Sequence, residues 1–367
     1  MSSFIYIGCQ PGTNSVCKRS LAGAHPELRF AYSRPGFMTY KAETPAQDLR
    51  CAFARVHGET LGRASGSSAE CAEAFWQIAD QQWLTNASPA PRQLHIWART
   101  DRLLRANTAS ANDTEVTELA PHANSPLQQA INALTPGAAE RNMQINEVAR
   151  PDHWILDCVV VEPEEWWAGR RRATSVPARW VGGFPPWAPP ENMVSRAYLK
   201  MKEALAWSRM PIRAGDIVAE IGSAPGGACQ ALLELGAQVI GIDPAEMDPI
   251  VLVHPRFTHI RRRGVEVRRR DLAEARWLCV DSNISPDECL TMLESLHAHD
   301  QVQFNGMLIT LKLPDWRLAD QLDEFLERIR QCGYKTVKPR HLHFNRQELC
   351  IAAVRSAGLV RRPRHKK

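Results

Sequence analysis

The residues best suited to ligand chemistry lie in a loop of small side chains in the second half of the chain. Apolar and β-branched residues at 217–221 predict a strand, and residues 228–235 predict a helix. The loop between them consists of Gly222, Ser223, Ala224, Pro225, Gly226 and Gly227. Small residues let a ligand approach the backbone, and amide groups at a helix N-terminus favour negative charge. The loop therefore predicts a binding site for a phosphate or a carboxylate.

A carboxylate follows at the end of the next strand signal, residues 238–242. Asp243 stands there, before Pro244 and about 20 residues beyond the loop. At this spacing in a doubly wound sheet, an acidic side chain binds the two hydroxyls of a ribose. The loop and Asp243 together predict a nucleoside-bearing cofactor. They leave open whether that cofactor is S-adenosylmethionine or a dinucleotide.

A parallel sheet is needed to bring these residues together. Strand and helix signals alternate after Ser195, with further strands at 277–280 and 306–311 and a helix at 286–297. Such alternation is typical of α/β folds in which helices wrap a parallel sheet. We therefore expect a Rossmann-like domain with a parallel-rich sheet over residues 194–358.

The first half of the chain has a different pattern, in which short strands alternate with helical stretches rich in Ala, Glu and Gln. The strand signals lie at residues 4–7, 36–40, 93–97 and 154–161. This pattern predicts α+β structure. We expect a polar loop at 108–124. The chain is expected to divide further into an N-terminal α+β domain at 1–90, a second α+β domain at 91–180, a proline-rich linker at 181–193 and a basic tail at 359–367.

Length and composition limit the classes of protein to consider. A chain of 367 residues exceeds the size at which one hydrophobic core stops growing, so several domains are expected. No apolar run approaches the roughly 20 residues of a membrane span, and residues 1–10 do not resemble a secretory signal. Ten scattered cysteines without a CxxC pair indicate reduced thiols and no zinc site. We expect a cytosolic protein without a membrane or metal partner.

Positive charge is concentrated in clusters, although the net charge is only +5. The clusters lie at residues 170–172, 261–263, 268–270 and 361–367. Arginine and lysine clusters of this kind contact the phosphates of nucleic acids. They predict a polyanionic partner.

The run from Ala224 to Gly227, after an acidic strand residue, resembles the cofactor motif of the FtsJ-type RNA 2'-O-methyltransferase superfamily. Further segments match that superfamily in order, and they are SRAYLK at 195–200, Val280-Asp281, LKLP at 311–314 and NRQEL at 345–349. The resemblance implies S-adenosylmethionine as the cofactor, bound by the loop, Asp243 and Asp281. It also implies a catalytic tetrad of Lys200, Asp281, Lys312 and Glu348.

These four residue types suit methylation of a ribose hydroxyl. The hydroxyl is a poor nucleophile until a base removes its proton, whereas the sulfonium methyl is already activated. We expect Lys312 to be the base, with Lys200 as a nearby positive charge and the two carboxylates orienting the ammonium groups. Because a lysine has a reference pKa of about 10.4, we expect the pKa of Lys312 to be lowered.

The LKLP run at 311–314 and the opening run Cys9-Gln10-Pro11-Gly12 are most similar, within the superfamily, to the RlmM group. That group methylates a cytidine of large-subunit (23S) ribosomal RNA. This resemblance implies that residues 91–180 form a THUMP-like RNA-binding domain ahead of the catalytic domain, and that ribosomal RNA is the partner, without an obligate protein partner. The chain departs from the pattern at Glu220, where Asp is usual, and at Ala228, where Trp is frequent. It also has Arg262-Arg263-Gly264 where a carboxylate near the adenine is expected.

Other functions remain compatible with the sequence. A 2'-O-methyltransferase acting on another RNA would have a similar catalytic domain. A non-catalytic RNA-binding assembly factor could keep the fold, although it would not need all four tetrad residues. A nucleotide-dependent oxidoreductase could use the same loop and Asp243 to bind NAD.

Overall fold

A computed structural model describes residues 3–43, 49–83, 91–100, 122–298 and 302–355 of the protein. The chain forms two compact units, Met1–Ala188 and Pro189–Lys367. The expected loop at 108–124 lies mostly outside the described residues, and the expected basic tail at 359–367 lies entirely outside them.

The first unit is an α+β structure with one mixed sheet. Its described strands and helices, in chain order, are β1 (Ser3–Gly8), α1 (Asn14–Ala24), β2 (Arg29–Arg34), β3 (Phe37–Ala42), β4 (Val56–Ser65), α2 (Ser68–Gln82), β5 (Gln93–Ala98), α3 (Pro126–Glu140), β6 (Gln144–Ile145), β7 (Trp154–Glu162) and β8 (Glu165–Arg172). The strand order is β2-β3-β1-β4-β8-β7-β5-β6. Most neighbours are antiparallel, and β5 runs parallel to β6 and β7.

Apolar side chains of α2 and α3 form one core of this unit with the sheet. Phe75 and Leu134 belong to the same buried cluster as Leu94 and Leu156. The start of α2 is fixed by a capping box, in which the Ser67 backbone amide donates to the Glu70 carboxylate at 2.8 Å. The cap therefore begins the helix where its apolar face starts.

The division expected at residue 90 differs from the observed sheet. Strand β4 precedes residue 90 and pairs with β8, while β5 follows residue 90 and pairs with β7 of the same sheet. The boundary between the two units lies after Ala188, inside the expected linker at 181–193. The first residues of that linker are held by the first unit, because Arg55 Nε donates to the Gly182 carbonyl at 2.8 Å.

The expected basic cluster at 170–172 is not a free surface cluster. Arg171 is buried, and its Nε lies 2.8 Å from Oδ2 of the buried Asp157. The Asp157 carboxylate also accepts hydrogen bonds from Tyr6 at 2.6 Å and Trp97 at 3.0 Å. A buried charge requires such partners, so Arg171 is committed to the core of the unit.

The second unit has the expected α/β architecture. Its described strands and regular helices are α4 (Ala197–Ser208), β9 (Ile217–Ile221), α5 (Gly227–Glu234), β10 (Gln238–Ile242), α6 (Pro249–Leu252), β11 (Phe257–Ile260), β12 (Trp277–Val280), α7 (Pro286–His297), β13 (Gly306–Lys312), α8 (Leu322–Gln331), β14 (Thr336–Arg340) and β15 (Glu348–Val354). The strand order is β11-β10-β9-β12-β13-β15-β14. Strands β9 to β13 are parallel, and β15 lies antiparallel between β13 and β14.

This topology confirms a Rossmann-like, parallel-rich sheet and places several motifs at one edge. The carboxyl ends of parallel strands meet at the same edge of a sheet. Strands β9, β12 and β13 therefore bring the small-residue loop, Asp281 and Lys312 together. Because β15 is antiparallel, the residue that reaches this edge is its first one, Glu348.

Candidate active site

Lys312 and Glu348 are direct partners across neighbouring strands. They form the last register pair between β13 and β15, and Lys312 Nζ lies 2.5 Å from Glu348 Oε2. The position of Glu348 is fixed further by Asn345, whose amide nitrogen donates to the Glu348 carbonyl at 3.0 Å. The strand pairing therefore aligns an ammonium group and a carboxylate at the edge of the sheet.

Asp281 and Lys200 complete a closed ring of four charges. Lys312 Nζ lies 2.7 Å from Asp281 Oδ1, and Lys200 Nζ lies 2.6 Å from Asp281 Oδ2. Lys200 Nζ also lies 2.6 Å from Glu348 Oε1. Each ammonium contacts both carboxylates, so the structure brings all four predicted tetrad residues into mutual contact.

Helix α4 carries Lys200, and two contacts hold this helix in place. The buried Glu203 carboxylate accepts hydrogen bonds from the backbone amides of His343 at 2.8 Å and Phe344 at 3.1 Å. At the other side, a Cβ on Gly227 would lie 2.1 Å from Ser195 Oγ, so only glycine permits this approach. The segment that opens α4 is thereby packed against the small-residue loop.

The protonation of Lys312 differs from the sequence-based expectation. Burial lowers the pKa of Lys312, but the ion pairs with Asp281 and Glu348 outweigh it and raise the pKa above its usual value. Burial likewise raises the pKa of Glu348, yet Lys200 and Lys312 outweigh it and lower that pKa. The resting ring therefore holds Lys312 as an ammonium, because two carboxylates face its nitrogen.

Only part of the small-residue loop lines a cleft. An open cleft of about 1490 Å³ is lined by Gly222, Ala224, Asp243 and Asp281, all of which were predicted for the cofactor. Ser223, Pro225, Gly226 and Gly227 are not among the lining residues. Ser223 is buried, with its hydroxyl 3.6 Å from Met247 Sδ.

Gly222 brings the loop close to the tetrad. It has a φ of +82°, and a Cβ at this position would lie 2.5 Å from the Asp281 carbonyl oxygen. The Asp243 carboxylate accepts hydrogen bonds from the amides of Ala224 at 3.1 Å and Ala245 at 2.8 Å. These contacts fix the Asp243 side chain at the end of β10, facing the cleft.

Glu220 is a site residue whose properties the sequence does not reveal. It is buried in β9, where Cys229 Sγ donates to its carboxylate at 2.8 Å, and burial raises its pKa to about 8. A small cavity of about 20 Å³ touches Glu220, Lys200 and Asp281. Glu220 is therefore protonated at neutral pH beside the charged ring.

The cleft also contains arginines from the basic clusters of the sequence. Arg263, Arg268, Arg269 and Arg270 line it, together with residues of α7. By contrast, Arg261 is not among the lining residues; its side chain is 64% exposed and lies 3.5 Å from Glu246. Two of the expected clusters thus contribute to the cleft.

Part of the second unit matches a known protein family. The family model of FtsJ-like methyltransferases matches residues 193–302. The chain carries an FtsJ-like methyltransferase domain. The matched segment includes Lys200, the loop, Asp243 and Asp281, while Lys312 and Glu348 follow it in the same unit.

Curated relatives agree with this assignment. One, named ribosomal RNA large subunit methyltransferase M, from Halorhodospira halophila, is 28% identical over 183 residues, which are 49% of this chain and 52% of the relative. A protein of the same name from Chromohalobacter salexigens is 30% identical over 209 residues, covering 51% of this chain and 56% of the relative. The aligned part spans about half the length of these relatives.

Solved structures give weaker likenesses. TrmN from Thermus thermophilus is 11% identical with a TM-score of 0.35, over 96% of this chain and 99% of TrmN. A Burkholderia thailandensis 1,6-didemethyltoxoflavin-N1-methyltransferase, with bound S-adenosylhomocysteine, is 16% identical with a TM-score of 0.34, over 45% of this chain and 78% of that protein.

Two further properties concern only the part of the chain that the structure describes. No group of three or more His, Cys, Asp or Glu side chains there is arranged to hold a metal ion. No helix there combines the length and apolar character that crossing a membrane requires.

Proposed function

We propose that the protein transfers a methyl group from S-adenosylmethionine to a ribose 2'-hydroxyl of RNA, most specifically to a cytidine of 23S ribosomal RNA. The observation that carries this proposal is the closed ring of Lys200, Asp281, Lys312 and Glu348 beside the cleft. The domain family supplies the reaction class. The names of the curated relatives support large-subunit ribosomal RNA as the substrate.

The cleft suits the cofactor. Gly222 and Ala224 leave room for a ligand at the backbone, and Asp243 at the end of β10 can accept hydrogen bonds from a ribose diol. Asp281 borders both the cleft and the ring. When bound, S-adenosylmethionine supplies an electrophilic methyl group.

The ring supplies the base. A neutral Lys312 accepts the proton of the 2'-hydroxyl at Nζ, and the resulting ammonium is stabilised by Asp281 and Glu348. Lys200 opposes the effect of those carboxylates, because a second cation near Lys312 favours its neutral form. The raised pKa of Lys312 means that one proton must leave the ring before each turnover.

The first unit is the candidate for binding the RNA. We propose a THUMP-like RNA-binding role for it, in keeping with its α+β architecture and the RlmM-like sequence resemblance. Its boundaries in this proposal are those of the compact unit, Met1–Ala188. Ribosomal RNA as the substrate also points to the cytosol as the place of action.

Mapping 2'-O-methyl groups in cellular RNA tests the proposal, using cells with and without the gene. The expected result is loss of one cytidine mark in 23S ribosomal RNA, restored by the wild-type gene and not by Lys312→Ala. Loss of a mark on a different RNA would retain the reaction and refute the substrate. An unchanged map in all RNAs would refute the methyltransferase activity and favour an assembly factor.

Calorimetric titration distinguishes the cofactor classes. We expect the purified protein to bind S-adenosylmethionine and not NAD. Binding of NAD alone would support a nucleotide-dependent oxidoreductase instead.

A further inference from the structure

One side of the cofactor cleft carries four guanidinium groups, from Arg263, Arg268, Arg269 and Arg270. We call these four residues the arginine wall. We propose that the arginine wall binds backbone phosphates of the RNA strand and holds that strand across the cleft beside the cofactor. This inference rests on the proposed function, since it names the RNA-binding surface of the same site.

The arginine wall is held by buried residues. A Cβ on Gly264 would lie 2.5 Å from Ile221 Cγ2 and 2.8 Å from Met292 Sδ, so the backbone beside Arg263 packs tightly between β9 and α7. Val267 and Leu272 are buried on either side of the second arginine triplet. The guanidinium groups are thus presented by a segment that is anchored at three points.

Little negative charge opposes the wall. Arg270 Nε lies 3.9 Å from Asp271 Oδ1. Among the described residues, no ion pair within 4 Å is formed by Arg263, Arg268 or Arg269. A surplus of positive charge on one side of a cleft attracts a polyanion.

The carboxylates of the cleft have other partners. Asp243 accepts backbone amides, and Asp281 is paired with the two lysines of the ring. On α7, Glu288 accepts the Ser285 hydroxyl at 2.8 Å and Asp287 lies 2.9 Å from Arg328. Asp281 and Asp287 are thus paired with cations outside the arginine wall, so its four guanidinium groups outnumber the two remaining carboxylates of the cleft, Asp243 and Glu288.

The chemistry of the wall fits phosphate better than it fits the cofactor. An arginine only donates hydrogen bonds, so Arg263 cannot accept one from an adenine amino group. A cationic sulfonium gains nothing from four nearby guanidinium groups, whereas phosphate oxygens accept their paired donors. The volume agrees, because about 1490 Å³ exceeds the roughly 300–1,000 Å³ of a typical small-molecule site.

The salt dependence of RNA binding tests the wall. The double variant Arg268→Gln/Arg269→Gln is compared with the wild type and with Arg330→Gln, which removes a cation from α8 outside the cleft. A single-stranded 23S ribosomal RNA fragment is titrated by fluorescence anisotropy across a range of salt concentrations, and S-adenosylmethionine is titrated by calorimetry. Anisotropy and calorimetry measure binding, so both readouts are independent of turnover.

Each lost phosphate contact lowers the slope of log K against log salt by about 0.7 for a single strand. We therefore expect the double variant to lose about 1.4 from the slope, with its affinity for S-adenosylmethionine changed less than about twofold. The variant Arg268→Lys/Arg269→Lys should keep most of the slope, since it keeps the charge. Arg330→Gln should match the wild type.

Several results of these binding measurements would overturn the inference. These are a wild-type slope in the double glutamine variant, an equal slope loss in Arg330→Gln, and a loss of cofactor affinity that matches the loss of RNA affinity. Tight binding of NADP⁺ that depends on Arg268 and Arg269 would also overturn it, by assigning the wall to a nucleotide phosphate. If the double variant does not fold, Arg269→Gln alone should lose about 0.7 from the slope.

Failure of the inference is distinguishable from failure of the proposed function. A wild-type protein that binds the RNA but transfers no methyl group would contradict the function while leaving the wall intact. A double variant that methylates RNA with a wild-type salt slope would contradict only the wall.

Discussion

Lys312 and Glu348 face each other as the last register pair of antiparallel strands, with Nζ and Oε2 2.5 Å apart. This pairing makes Glu348 part of the charged ring and not a surface partner of its neighbour Arg346. Its side chain is only 9% exposed, so the ion pair is shielded from water. The ring that results both positions Lys312 and restrains it from losing its proton.

Replacing Lys312 by alanine should abolish methyl transfer. A positioned general base contributes about 10²- to 10⁴-fold to a rate, and Lys312 is the proposed base. Binding of S-adenosylmethionine should persist, because Lys312 is not among the residues that line the cleft. Single-turnover methylation and calorimetry measure the two effects. The matched control is Lys338→Ala in β14, an exposed position, and near-normal turnover in Lys312→Ala would refute the assignment.

Replacing Glu348 by glutamine should shift the pH dependence of methyl transfer to lower pH. In the wild type, the ion pairs with Asp281 and Glu348 outweigh burial and raise the pKa of Lys312. The neutral fraction of Lys312 therefore increases with pH throughout the neutral range, and the rate should increase with it. Without the Glu348 charge, the pKa of Lys312 falls, so the same neutral fraction is reached at lower pH.

Initial rates at saturating cofactor, measured across pH 6 to 9 at steps of about one unit, check this shift. Glu327→Gln on α8 is a control that leaves the ring unchanged. A curve of rate against pH that stays in place, or that moves to higher pH, would show that Glu348 does not hold the proton on Lys312.

The four residues of the ring could be predicted from the order of their motifs in the sequence, but the contacts between their side chains could not. Strand ends after apolar runs locate Asp281 and Lys312, and the parallel pattern predicts that they share an edge. Strand β15 pairs antiparallel with β13 because of the tertiary fold, and this pairing alone places Lys312 opposite Glu348. The sign of the Lys312 pKa shift depends on distances of about 2.5–2.7 Å to two carboxylates, which a sequence does not contain.

Other features could not be predicted because they depend on the position of a strand in the sheet or on contacts between residues far apart in sequence. Strands β11 and β14 lie at the edges of the second sheet and are only partly buried, so they show no continuous apolar run. Burial of Arg171 is equally hidden, since its partner Asp157 is 14 residues away on β7. The division expected at residue 90 differs from the observed unit because pairing of β4 with β8 is a long-range contact.

Gly222 should be far less tolerant of alanine than Gly215, although both have positive φ angles of 82° and 86°. The backbone strain of a left-handed alanine costs about 1–2 kcal/mol at either position. No atom lies within 4 Å of a Cβ on Gly215, whereas a Cβ on Gly222 would lie 2.5 Å from the Asp281 carbonyl oxygen. Gly222→Ala should therefore lose more stability and should also lose cofactor affinity.

Urea unfolding and titration with S-adenosylmethionine separate the two effects. Gly215→Ala serves as the control for backbone strain, and its cofactor affinity should equal that of the wild type. Equal stability losses in both variants, with unchanged cofactor affinity, would show that the approach of Gly222 to Asp281 is unimportant.

Glu220 should make the protein less stable as pH rises from about 4.5 to about 8. Burial raises its pKa to about 8 in the folded state, from an ordinary value of 4.5. Between these values the folded protein binds a proton that the unfolded chain has released, so the free energy of unfolding falls with increasing pH. Glu220→Gln keeps the shape of the side chain and cannot titrate, so it should lose this part of the decline. Urea unfolding at pH 5 and at about pH 8.5 measures the difference, with the exposed Glu246→Gln as the control. An identical decline in the wild type and Glu220→Gln would mean that Glu220 is already ionised in the folded protein at neutral pH.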